Sequence, residues 1–450
     1  MLKSENKMGV MPINKLIINM SLPIMISMLV QALYNVVDSV FVAMISEQAL
    51  SGVSAAFPIQ NLMIAVATGT GVGLNALISK SLGEKNTERA VKIAENGIFL
   101  SICSYIVFLL IGIFLIRPFF EIQTSNSDIV RSGVIYTTIV STASLGLFIE
   151  IVFERLMQST GKTFYTMITQ GIGAILNIVF DPIFIFVFDM GVAGAAVATV
   201  AGQIVAVIVA IIIQTKKNKE LPVNMKGFCP SGKLIKEIYA IGVPSIIMAS
   251  IGSIMYFGIN KILLAMNETA SAVFGVYFKL QSFVFMPVFG MNNGIIPIIG
   301  YNYGAQNRIR IMKTYKFGTL FSCSLMLIGA CIFQFLPAVL LECFSASAEM
   351  LSIGVPALRT ISLCFVFAGA SIVMGSMFQA FGRGISSMIV SVIRQLVILL
   401  PAAFLLSLTG EVTAVWWAFP IAETVSLLVS IFIFIALYKK VISHIPDGAE

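Results

Sequence analysis

The sequence predicts an all-α integral membrane protein: twelve transmembrane helices in two pseudo-symmetric six-helix bundles. Of its 450 residues, 58% are hydrophobic and only 11% charged, which leaves too little polar surface for a soluble globule. Apolar stretches recur at the length of about twenty residues that a hydrocarbon layer requires. The second half also repeats the first in register. Pro23, Gln60, Gly69, Gly73, Gly83, Asn86, Arg89, Lys92, Gln158 and Gly161 return 221 residues later as Pro244, Gln281, Gly290, Gly294, Gly304, Asn307, Arg310, Lys313, Gln379 and Gly382. These are polar or backbone-special residues, so shared apolarity cannot explain the match. A shift by an even number of spans gives both halves the same orientation.

From the apolar runs, spans are expected at roughly 16–44, 52–80, 90–116, 129–157, 164–187 and 192–214 in the first half. Those of the second are expected at roughly 235–266, 270–302, 310–336, 349–379, 385–408 and 412–438. A polar segment with Pro222, Gly227, Pro230 and Gly232 separates them. This gives an amino-terminal lobe over 1–214, a linker over 215–234 and a carboxy-terminal lobe over 235–450 with a short tail. Lysine and arginine gather on the side that holds the linker (Lys80, Lys85, Arg89, Lys216, Lys217, Lys219, Arg308, Arg310), and only Arg117 and Arg131 fall opposite. Cytoplasmic loops collect such charges, so both termini are expected in the cytoplasm and the protein in the plasma membrane.

Taken along the chain, the polar residues inside the spans carry the functional reading, because an acid in hydrocarbon costs several kcal/mol unless it faces water, an ion or a partner. Asp38 in the first span and Asp181 in the fifth each lie roughly 10 Å from the outer end, counted at ~1.5 Å per residue. Asn177 shares a helical face with Asp181, and Thr199 in the sixth span reaches the same level. Two carboxylates, an amide oxygen and a hydroxyl suit a hard monovalent cation, or a proton shared by the acids; the bland reading is a hydrogen-bonded helix contact in which Pro182 only kinks the fifth span. In the second span Gly69, Gly71 and Gly73 lack the strand and the Lys-Ser or Lys-Thr of a phosphate loop, so close helix packing is expected. Glu150 and Glu154 share a face of the fourth span beside Arg155, where an ionic contact holding the inner gate is expected. The second half carries Lys261, Lys279, Arg359 and Arg394 at membrane depth against one acid, Glu423, for which structural pairing is expected. Trp416 and Trp417 read as interface anchors.

Several classes drop out. The net charge of +7 is what a basic inner face requires, and no basic groove interleaved with aromatics appears, so no nucleic-acid partner is expected. The polar first fifteen residues lack a signal peptide's apolar core, so the first span is expected to be retained. The single histidine, His444, lies in the tail, and the six cysteines show no paired spacing. An intramembrane enzyme would need a clustered nucleophile, base or metal set, so the protein is not expected to be an enzyme or to hold a resident cofactor.

The run Tyr34-Asn-Val-Val-Asp-Ser-Val-Phe-Val-Ala43, Gly83 after the second span, Gln158-Ser-Thr-Gly161 and Asn177-Ile-Val-Phe-Asp-Pro182 together resemble the multidrug and toxic compound extrusion (MATE) family of the MOP flippase superfamily. The resemblance covers nearly the whole chain. It implies an antiporter exporting amphipathic organic cations by alternating access, driven by H⁺ or Na⁺. It places the family's amino-lobe cation site, including Na⁺ if sodium is used, on Asp38, Asn177, Asp181 and Thr199. Candidates for substrate contact or gating are Gln31, Tyr34, Asn35, Glu150, Glu154, Gln158, Lys279, Gln281 and Arg394. A monomer in the bilayer is expected.

The chain departs from some members in having no acid in the core of its seventh or tenth span, which puts a carboxy-lobe cation site in doubt. Lys279, Arg359 and Arg394 keep a rival reading open, a flippase gripping an anionic lipid-linked headgroup.

Overall fold

The computed structural model describes residues 6–344 and 346–448, and every regular element among them is helical. Twelve spans follow, counting each of two bent pairs as one: α1 (Ile13–Ala43), α2 (Glu47–Gly83), α3 (Thr87–Phe114), α4 (Ser127–Thr142 with Leu145–Ser159), α5 (Thr163–Val187) and α6 (Val192–Lys217), then α7 (Gly232–Met266), α8 (Glu268–Gly304), α9 (Arg308–Phe335), α10 (Ala348–Ser362 with Phe365–Ala380), α11 (Gly384–Ser407) and α12 (Val412–His444). Apolar periodicity locates each of them to within a few residues.

Apolarity does not report the breaks. α4 bends by 48° and α10 by 46°, at positions that correspond in the repeat to within one residue, where the sequence predicts continuous helices. Hydroxyl and thiol groups that turn back onto the helix accompany the bends. At α4, Thr142 Oγ1 donates to the Thr138 carbonyl and Ser144 Oγ to that of Ser141, each at 2.7 Å. At α10, Ser362 Oγ donates to the Arg359 carbonyl at 3.1 Å and Cys364 Sγ to that of Ile361 at 3.0 Å. Such back-bonding competes with the helical ladder and opens one side of the turn.

The described residues form two compact units. One runs from Ile26 to Ile246; the other comprises the residues up to Met25 and those from Ile247 onward. The division falls inside α1 and inside α7, so each of these helices gives its first turns to one unit and the rest to the other.

Glycines set the closest helix crossings within each unit. A Cβ on Gly73 of α2 would lie 2.4 Å from the Ile238 carbonyl oxygen of α7, and one on Gly69 would lie 2.8 Å from the Ile246 nitrogen. Their repeat partners do the same in the other unit: Gly290 and Gly294 of α8 would meet the backbone of Met25 and Ser21 in α1. The packing role expected of the α2 glycines is therefore met twice.

Polar clasps secure the entry to each of these swapped helices. Arg310 Nη2 donates to the carbonyls of Met8 and Met11 at 3.0 and 2.7 Å, and Asn302 Nδ2 donates to Met8 at 3.1 Å. In the other unit Arg89 pairs with Glu237 at 2.7 Å, and Asn96 accepts the Ser231 N–H at 2.9 Å. The expected pair of tryptophan anchors is corrected: Trp417 is half exposed, but Trp416 is fully buried. Adjacent positions on a helix point about 100° apart, so both cannot face the interface.

Candidate ion-coupling site

The amino-terminal site is assembled by five helices of the Ile26–Ile246 unit. α1 contributes Asp38, α2 Gln60, α4 Tyr136, α5 Asn177 and Asp181, and α6 Thr199. Local chemistry explains how α5 and α6 come so close. A Cβ on Gly202 would lie 2.9 Å from the Gly173 carbonyl oxygen, so the helices cross backbone to backbone at that point. Four residues beyond Gly173 stands Asn177, and three before Gly202 stands Thr199; one turn from the crossing they meet at 3.2 Å.

Asn177 links Thr199 to the acid. With its amide nitrogen toward the carboxylate, it donates to Asp181 Oδ2 at 3.2 Å while its oxygen accepts from Thr199 Oγ1 at 3.2 Å, an orientation that satisfies both ends. Asp181 is completely buried. Its carboxyl is within hydrogen-bonding reach of Asp38, so the two acids from separate spans converge. Pro182 follows directly. Its ring removes a helical N–H donor, and the next five residues, Ile183–Val187, wind as a π-helix.

Gln60 Nε2 donates to the Tyr136 hydroxyl at 3.1 Å, and that hydroxyl lies within reach of Thr199. Sequence reasoning noted Gln60 only as a repeated residue and missed Tyr136. The recurrence of Gln60 at Gln281 was the one available signal; nothing marks Tyr136 among eleven tyrosines.

Asp38 Oδ1 and Asp181 Oδ1 are buried and have no hydrogen-bond partner among the described residues. An unpartnered buried carboxylate oxygen is costly, and two side by side more so. With the Asn177 oxygen turned to Thr199, the carboxylate oxygens are the ligand atoms left to the site, and they fit a proton or a hard monovalent cation.

The other candidates divide. Tyr34 lies near Gln31, Glu150, Asp38 and Asp181, which places it beside the acid pair. Asn35 is exposed, and only its carbonyl is engaged, by Ser39 Oγ at 2.8 Å. The ionic contact expected on α4 is corrected. Glu154 takes the Gln170 amide at 2.9 Å, whereas Arg155 turns to Gln158 at 2.8 Å, and both charged residues are buried. An arginine reaches forward to i+3 as readily as sideways, and Gln170 on α5 takes one oxygen of the carboxylate, Oε2.

In the Ile247-onward unit Arg394 donates to Glu423 at 3.1 Å, the structural pairing expected there. Arg359 Nε donates to the Gln334 carbonyl at 3.2 Å. Lys279 is exposed and Gln281 half-buried.

Twelve spans in two repeated halves, with paired acids at membrane depth in one of them, define an integral membrane transporter. The MatE family profile matches residues 23–183 and 244–405, the two halves of the repeat, and the chain belongs to that family. Among curated proteins it is similar to the multidrug export protein MepA of Staphylococcus haemolyticus, 25% identical over 429 residues, covering 95% of this chain and 94% of that one. It is also 24% identical to MepA of Staphylococcus aureus over 431 residues, covering 95% of each. Among solved structures, an outward-facing multidrug resistance MATE transporter of the MOP superfamily superposes with a TM-score of 0.92 at 25% identity, covering 97% of this chain and 99% of the other. A MATE transporter in complex with MaL6 superposes with a TM-score of 0.91 at 25% identity, covering 97% and 100%.

Proposed function

We propose that the protein is a secondary active antiporter of the bacterial plasma membrane that exports amphipathic organic cations in exchange for H⁺ or Na⁺. The carrying observation is the acid pair: Asp38 and Asp181 meet at membrane depth, each with one buried oxygen that no described residue satisfies. The multidrug export activity named for the MepA relatives supports the cargo class.

Asp38 and Asp181 hold the coupling ion, Asn177 and Thr199 fix the carboxylate of α5, and Tyr136 with Gln60 closes the site from α4 and α2. The protein alternates between two conformations, and ion and cargo favour opposite ones; a differential affinity of a few kcal/mol is enough to move the population. The closeness of the two carboxyls suits a proton as the ion, since neighbouring acids can hold one between them. The flippase reading loses ground, because Arg394 and Arg359, two of the cations it relied on, are engaged within the protein.

Counterflow in proteoliposomes with the pH and Na⁺ gradients imposed separately tests the proposal. Accumulation of an organic cation driven by one gradient and abolished by collapsing it is expected. Accumulation indifferent to both gradients would sink the antiport reading.

A further inference from the structure

We propose a second, structurally separate ligand site on the Ile26–Ile246 unit: a groove for one anionic glycerophospholipid drawn from the adjoining leaflet. α3 and α6 both pack on α4 and leave a wedge between them whose volume is about 1110 Å³. That is just above the ~300–1,000 Å³ that holds a drug-sized ligand. Ile102 and Ile106 of α3, Ile149 and Phe153 of α4, and Ile204 and Ile208 of α6 line it, so its walls are largely apolar along the membrane-buried length. Acyl chain, rather than a polar cargo, matches such walls.

What separates this wedge from an ordinary lipid-facing furrow is its end. The segment after α6 folds across it, with Leu221, Pro222 and Val223 lining the groove, and Gln214 Nε2 ties the segment down by donating to the Leu221 carbonyl at 3.0 Å. Asn218 Nδ2 donates to Gln214 Oε1 at 2.9 Å, so the polar groups that hold this cap are satisfied internally. The capped end is thus the one at the membrane surface, where a headgroup rather than a chain terminus would sit.

Charge at the same end selects the headgroup. Lys219 stands on the groove wall, exposed, and Lys216 and Lys217 are exposed on the last turn of α6 beside it. The two carboxylates of this region are occupied: Lys162 holds Glu220 at 3.6 Å, and Glu95 accepts the Asn224 N–H at 3.4 Å. The rim is thus cationic against an apolar interior, the complement of an anionic lipid.

Native mass spectrometry of the full-length transporter in mild detergent, titrated with phosphatidylglycerol or phosphatidylcholine of identical chains, tests the site. One tightly retained phosphatidylglycerol per chain is expected. Lys219→Ala and Lys216→Ala should each weaken it about fivefold, the factor one surface lysine supplies, without moving phosphatidylcholine. Ile208→Trp and Ala143→Phe, which fill the wedge, should abolish retention, whereas Ile175→Trp on the exposed face of α5 should not; thermal unfolding in lipid-free detergent verifies that each variant is folded. Equal affinity for both lipids, or undiminished retention by folded wedge-filling variants, overturns the proposal. The readout is independent of transport, so it stands or falls apart from the antiport reading.

Discussion

Arg394 donates to Glu423 across 3.1 Å and joins α11 to α12 inside one unit. The positions 221 residues earlier are Gly173 and Gly202, which join α5 to α6 by bare backbone contact in the other. One crossing of the repeat has thus been built two ways. The glycine version draws Asn177 and Thr199 together and creates a polar site one turn away; the ionic version consumes its charges in the joint itself.

The pair is only partly shielded, with side chains 23% and 15% exposed, so its breakage belongs at the lower end of the range for buried pairs. Glu423→Gln should lower stability by about 2–3 kcal/mol, because it strands the guanidinium. The double substitution Arg394→Met with Glu423→Leu should recover most of that loss. Thermal unfolding of purified protein reads both, and a double variant no better than the single would show that the pair is not the unit that matters.

Asp38→Asn and Asp181→Asn should each reduce gradient-driven efflux from vesicles to background while leaving the protein folded. A neutral amide is less costly to bury than a carboxylate, so unfolding temperatures should hold or rise. Efflux unchanged in either variant would remove that residue from the coupling step.

Much of this site could be seen in the sequence for one reason. Asp38 and Asp181 are the acids deepest inside apolar runs of the first half, and counting along ideal helices places them at one depth. Asn177 follows from the four-residue spacing. Tyr136 does not, because a tyrosine pays little to sit in a bilayer and so gives no compositional signal, and its use depends on the 48° bend that aims the first segment of α4. The bends themselves were hidden for the same reason: Ser, Thr and Cys that bond back to their own helix look like ordinary small residues. The glutamates of α4 were correctly placed on one face, but which neighbour satisfies them was set by Gln170, on another helix.

Tyr136→Phe tests the part of the site the sequence missed. It deletes the acceptor of Gln60 Nε2 and the hydroxyl near Thr199, leaving the aromatic packing in place. A neutral hydrogen bond contributes about 1 kcal/mol net, so the ion concentration for half-maximal exchange should rise about fivefold, with substrate affinity unchanged. Equal shifts in both would place Tyr136 in the fold rather than at the ion.

The glycines give a prediction whose sign depends on position. Alanine is about 1 kcal/mol better than glycine inside a helix, so Gly→Ala should stabilise wherever there is room. Gly171 of α5 has nothing within 4 Å of a new Cβ, and Gly171→Ala should raise stability by up to that amount. At Gly73 the new Cβ would lie 2.4 Å from the Ile238 carbonyl, a backbone atom that can retreat only if α7 moves. Overpacking of this kind costs about 1–3 kcal/mol, more than the propensity gain, so Gly73→Ala should destabilise. Gly294→Ala should do likewise, since Ser21 Cα would stand 3.1 Å away. Unfolding curves of the three variants decide the matter, and a stabilised Gly73→Ala protein would mean that α2 and α7 do not cross at backbone contact. Because these crossings anchor the first turns of α1 and α7, the Gly73 and Gly294 variants should also slow transport, while the Gly171 variant should not.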